Sequence, residues 1–276
     1  MLASDLLYSI PALYIVCFLA LAMFLAMKTG LVLAKNKKSA LLAEKSSAET
    51  IITALYALLG FILAFTYNMS ESRFEKRKAH IVEEANAIGT ALLRCDLYED
   101  STRLELRKNF YQYIQARIHF YEAGRDTNEL NKAIEATDKI AGKIWATATV
   151  HAKKYPGNYI VANQSIPSIN DMIDMVTTRN AGLEATVPPI IVMMLLILCI
   201  GISLFTGYYF AGYRTDWLVV SGFIITICMV VYITLDLDRP RRGLINMNTT
   251  QTHILKLKTN FSAEEIKIYQ LATGVH

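Results

Sequence analysis

Between Thr50 and Asp100 the chain changes its chemistry without changing its period. The apolar run Ile51–Tyr67 is about the length that crosses roughly 30 Å of hydrocarbon as a helix. With no proline and no glycine-rich break it passes into the charged stretch Ser70–Lys78, and helical spacing continues to about Tyr98. The pattern predicts one long continuous helix, half in lipid and half outside it.

At about 100° per residue the apolar part has two distinct stripes. Thr53, Ala57, Gly60 and Ala64 share one narrow face, and small residues of that kind let a second membrane helix approach closely. The opposite face is bulky: Ile51, Leu55, Leu58, Ile62, Phe65 and Met69, with Phe61 on its flank. Past the apolar part this bulky face turns basic at Arg73 and Lys76, with His80 following. One face is expected to pack; the other is expected to meet lipid, a partner or a pore.

Composition places this helix in a larger pattern. The chain has 276 residues, 53% of them hydrophobic, and the apolar residues are concentrated in four blocks. These are about Leu7–Met27, Ile51–Tyr67, Pro189–Gly207 and Trp217–Leu235, each near the length of a membrane span. The first block is read as a retained span, because Asp5 and the lack of Lys or Arg before it do not suit a cleaved signal peptide. The expected fold class is therefore an all-α integral membrane protein with four transmembrane helices. An all-α extramembrane domain is inserted between the second and third spans.

The expected organisation has four parts. Residues 1–69 hold the first two spans and their basic connecting loop, and residues 70–187 the helical domain. Residues 188–238 form a hairpin of the last two spans, and residues 239–276 a basic tail. Ser70 to Pro188 carries 16 Lys and Arg against 16 Asp and Glu, so this region has no electrostatic footprint for nucleic acid. The excess lies elsewhere: five Lys against two Glu in Lys28–Glu49, and six basic residues against two acidic from Arg239 onward.

Within the middle region, periodic apolar positions predict helices from about Ser101 to Gly124, from about Leu130 to Ala148, and from about Ile166 to Leu183. Tyr155–Pro156–Gly157–Asn158 is a turn signal between the last two. Tyr208, Tyr209, Phe210, Tyr213 and Trp217 mark a membrane interface between the third and fourth spans. Ser262 and Glu265 form a capping box for a short final helix.

Motifs of catalysis are missing. There is no phosphate-binding loop, no dinucleotide fingerprint, no zinc-protease or nucleophile-elbow motif, and no His/Cys cluster at metal-ligand spacing. The four cysteines are expected to be buried free thiols. No ionisable residue stands in the middle of any span, which does not suit a proton-coupled pump. The expectation is no enzyme, no cofactor and no metal.

Two polar groups remain. One, on the outer half of the long helix, comprises Arg73, Arg77, Glu83, Glu84 and Asn86; the bland reading is a solvated helix face, the sharper one pairing with basic residues of another helix or subunit. The other is Asp236, Asp238, Arg239 and Arg242 at the end of the fourth span, where Arg239 to Arg242 would anchor at headgroups. Asp236 is deep enough there to need a partner, with Arg73 and Arg77 as candidates.

Three segments now carry a family resemblance: Phe61–Phe65, Arg73–Arg77 followed by Glu83–Thr90, and Leu235–Gly243. Together they resemble the bestrophin-like domain family of bacterial and plant membrane proteins, over roughly Thr50 to Leu244. The family name implies a distant relation to bestrophins, pentameric anion channels whose second membrane helix lines an apolar neck and continues into the cytosol. No acidic run matches the calcium clasp of bestrophins, so no residue takes that role.

The resemblance implies an oligomeric, pentameric if bestrophin-like, anion channel of the bacterial inner membrane that passes an anion such as chloride. Its lining would be Leu55, Leu58, Phe61, Ile62, Phe65 and Met69, with Arg73 and Lys76 at the mouth and Arg77, Glu83, Glu84, Asn86, Asp236, Asp238 and Arg239 in structural roles. The middle domain and both termini would be cytoplasmic; the count of basic residues near span ends, eight against six, does not decide sidedness. The alternative is a non-conducting homo-oligomeric scaffold or sensor that uses the same helix stripe as an interface.

Overall fold

A computed structural model describes residues 10–35, 45–124, 126–210, 216–239, 243–245 and 247–273. The expected start of the first span at Leu7, much of the basic loop, the interfacial Tyr213, and Arg241 and Arg242 lie outside these residues. About 90% of the structure is helix, and the described residues contain no strand. Four helices are long and apolar enough to cross a membrane. The chain forms two compact units, one of residues 1–74 and 186–245, the other of residues 75–185 and 246–276.

The first unit contains α1 (Ala12–Lys35), the first part of α2 (Lys45–Leu93), α6 (Pro189–Phe210) and α7 (Trp217–Leu237). Helix α1 runs past the expected end at Met27, and Lys45 to Glu49 are already helical, so part of the expected loop is helix. Buried residues recur at three- and four-residue steps: Val16, Leu19 and Met23 on α1, Val192, Leu195, Cys199 and Ile202 on α6, and Ile224, Ile227, Val231 and Leu235 on α7. That spacing sets one stripe per helix toward a common core.

Helices α1 and α6 cross in near backbone contact. A Cβ on Gly30 would stand 2.1 Å from the carbonyl oxygen of Leu204, and one on Gly207 would stand 2.0 Å from that of Met27. Only glycine permits this approach, the device that packs helices tightly in lipid. Helix α2 attaches to the unit through Leu59, through a Tyr56 hydroxyl 2.6 Å from Thr206 Oγ1, and through the Tyr56 ring edge-on to Phe223 at 5.3 Å. Asp216 caps α7 by accepting from the amides of Leu218 and Val219.

The second unit holds the rest of α2, a 3₁₀ turn at Arg94–Leu97, α3 (Asp100–Glu122), α4 (Thr127–Lys154), α5 (Ile166–Glu184), α8 (Asn248–Lys256) and α9 (Ala263–Thr273). The expected continuous helix is present: no break falls between Met69 and Lys78. Helix α3 starts at Asp100, one residue before the expected Ser101, with Glu99 at the N-cap position and no side-chain cap. Asp126 caps α4, and a π-helical turn at Val161–Ser165 leads into α5, where Pro167 sits in the first turn and lacks an amide to leave unpaired. The capping box forms in full, with the Ser262 amide donating to Glu265 at 2.8 Å and the Glu265 amide to Ser262 Oγ at 3.2 Å.

All four cysteines are free thiols. Cys95, Cys199 and Cys228 are buried as expected, whereas Cys17 is exposed beside Leu13, Tyr14, Phe18 and Leu21 on the outer face of α1.

Candidate functional site

Helix α2 is treated differently along its length. Over its most apolar stretch only 11% is buried, against 28%, 39% and 33% for the other three apolar helices. Leu59 and Thr66 face inward, and the Thr66 hydroxyl turns back to donate to the carbonyls of Ile62 and Leu63, which satisfies it without a partner helix.

The residues read as a lining fall into two sets. Leu58, Phe61 and Phe65 are 46%, 69% and 54% exposed. Leu55, Ile62 and Met69 are partly buried against the first unit's own core. The small stripe Thr53, Ala57, Gly60 and Ala64 is exposed, and a Cβ on Gly60 would meet nothing within 4 Å. The close helix approach within the chain is made by Gly30 and Gly207 instead, neither of which stands out in the linear pattern. Lys76 is exposed, and Arg73 is partly buried with no hydrogen-bond acceptor for Nε among the described residues.

In the second unit, Arg77 is buried and donates from Nε to the Gly182 carbonyl at 3.0 Å and from Nη2 to that of Ala185. A cation thus satisfies the open carbonyls at the end of α5 and complements the helix dipole there. Glu83 is exposed and pairs along its own helix with His80 Nδ1 at 3.2 Å; Asn86 is exposed.

Glu84, by contrast, is fully buried and bonded to two other helices, its Oε1 accepting from Arg117 Nε and its Oε2 from Arg179 Nη1. Arg179 Nη2 continues to Gln251 Oε1 at 3.2 Å. Burial, with Arg117 nearby, pulls the Arg179 guanidinium below its usual value although Glu84 acts against this. Burial pushes the neighbouring Tyr113 hydroxyl up, so it stays protonated.

The closing motif of the first unit ties backbone. Asp236 is buried, and its carboxylate accepts from the amides of Leu244 at 3.1 Å and Ile245 at 2.9 Å. The partner it needs is therefore the loop that follows, not the arginines expected. Gly243 makes that loop feasible, since a Cβ there would lie 2.7 Å from Asp236 Oδ2. Asp238 Oδ2 accepts from the Val187 amide at 2.8 Å, just before α6, and Arg239 Nη1 donates to the Ile10 carbonyl, just before α1. One short segment thereby fixes the entries of two helices. Among the described residues no group of His, Cys, Asp and Glu is arranged to hold a metal ion.

These features define a class: an all-helical protein with four helices fit to cross a membrane and polar side chains that pin helix ends. The model of the Bestrophin-like domain family matches residues 16–251, and the chain belongs to that family. No curated protein and no solved structure matches it.

Proposed function

We propose that the chain is the subunit of a homo-oligomeric, anion-selective channel of the bacterial inner membrane, with α2 lining the pore. The observation that carries this reading is the 11% burial of the apolar part of α2. A helix so little covered by its own chain has surface to share with other copies. Its two exposed faces suit two jobs. The small stripe through Ala57 and Gly60 allows a neighbouring copy to come close. The bulky stripe of Leu58, Phe61 and Phe65 then turns to the axis as an apolar neck that resists wetting, flanked by Leu55, Ile62 and Met69.

Arg73 and Lys76, one to two turns further on, give the mouth a positive field that concentrates anions such as chloride. The second unit lies outside the bilayer on the cytoplasmic side in this reading, together with both termini. Its role is structural and regulatory, not enzymatic.

The test is chloride flux in liposomes reconstituted with purified protein. Replacing Phe65 and Leu58 together by Ala widens the neck and is expected to raise flux at least several-fold. If neither the native nor the widened protein passes ions while still forming a ring, the chain is a non-conducting scaffold. Single cysteines at Asn128 and Lys38, probed with an impermeant reagent on intact spheroplasts, check sidedness. Modification of Asn128→Cys but not Lys38→Cys would invert it.

A further inference from the structure

The core of the second unit holds more positive charge than it neutralises. Glu84 on α2 faces Arg117 on α3 and Arg179 on α5, one carboxylate against two guanidiniums. All three are buried, Glu84 and Arg117 completely. Both guanidiniums lie over the same Phe120 ring, at 4.6 and 5.6 Å, and the ring face offsets only part of the excess charge.

The hydrogen-bond inventory is equally one-sided. Both oxygens of Glu84 are used. Among the described residues Arg117 Nη1 and Nη2, Arg179 Nε, Gln251 Nε2 and the Tyr113 hydroxyl have no partner, although each is shielded from solvent. Every one of these groups can donate, and all but the hydroxyl can only donate. Buried donors without acceptors and a buried charge without a counter-charge are both strongly disfavoured. A single small anion relieves both at once; a cation or an apolar group relieves neither.

We propose that the second unit holds a resident monovalent anion, a halide such as chloride, bound by Arg117 against the Arg179–Glu84 pair. Helices α2, α3, α5 and α8 all contribute to the cluster, so the ion is part of the unit's core. It exchanges only when these helices open, unlike an ion passing through a pore. The site does not depend on the channel reading and would be present in a non-conducting scaffold as well.

The experiment follows thermal unfolding of the purified full-length protein at constant ionic strength, with chloride, bromide or gluconate as the anion. Chloride and bromide are expected to raise the midpoint saturably by a few degrees, and gluconate, too large for the core, to leave it unchanged. Arg117→Met keeps the volume and leaves Glu84 paired with Arg179, a neutral couple, so the halide shift should vanish. In crystals grown in bromide, the native protein should give an anomalous peak at hydrogen-bonding distance from Arg117 Nη1 or Nη2, a readout that needs no variant. A halide shift that persists in Arg117→Met, an equal shift with gluconate, or an anomalous map empty beside Arg117 would each overturn the proposal in favour of bound water.

Discussion

The two halves of α2 solve opposite problems with the same backbone. In the first unit its inward face is Leu59, Thr66 and Ser70, while its remaining faces are apolar and mostly uncovered. In the second unit its inward face carries Arg77 and Glu84 among Ile81 and Ile88. Apolar surface can be left for lipid or another copy to cover, whereas a charge turned inward must find its partners in its own chain. Burial, not hydropathy, separates the faces of this helix.

The sharpest break between the halves should come from Glu84→Ala. It leaves two buried guanidiniums without their carboxylate, at a cost of about 3–5 kcal/mol. Phe65→Ala, on the uncovered face of the other half, should cost under about 0.5 kcal/mol, as for surface changes generally. Denaturant unfolding in detergent compares them, and equal losses would mean that Glu84 is not held as the geometry indicates.

A second contrast uses glycine. Gly207→Ala forces a Cβ against the Met27 carbonyl and should destabilise the first unit by about 1–3 kcal/mol or more, as overpacking does. Gly60→Ala meets open space and should gain up to about 1 kcal/mol of helix propensity. Gly60→Leu then separates protomer from assembly: the unfolding midpoint should hold while the oligomer seen by size-exclusion dissociates. An intact oligomer would remove the small stripe from the interface.

The smallest effect concerns a partly exposed pair in the second unit. Arg107 hydrogen-bonds Glu265 at 2.8 Å and holds its carboxyl below the usual carboxylate range. With the folded value depressed, the pair's stabilisation is fully present above the unfolded value of about 4.3 and is lost as pH falls through the folded one. The difference in midpoint between native protein and Glu265→Gln should be worth less than about 1 kcal/mol at neutral pH. It should close below about pH 4; a difference that stays constant down to pH 3 would assign the effect to packing.

Much of this architecture can be read without coordinates. Hydropathy and the missing proline mark the four apolar helices and the unbroken α2, and Ser262 with Glu265 announces its own capping box. The face of α2 that packs leaves no mark in hydropathy, because Leu55, Leu58, Ile62 and Phe65 are alike in it while only Leu55 and Ile62 meet the core. Contacts between distant segments leave still less trace. Gly30 and Gly207 are ordinary glycines until two helices cross, and Asp236 finds backbone amides eight and nine residues on, not an arginine. Arg117 did carry a signal: it occupies an apolar-face position in the period of Phe110, Ile114 and Ile118, where a charge needs a buried partner.

The cysteines have a practical consequence for accessibility chemistry. Alkylating reagents attack the thiolate, which must be both formed and reachable. Cys95 is buried, and burial pushes its thiol up to about 12. Cys199 and Cys228 are enclosed by the first unit's core, whereas Cys17 is exposed on the outer face of α1. Three of the native thiols are therefore a silent background, and a cysteine introduced at Asn128 can be read once Cys17 alone has been replaced.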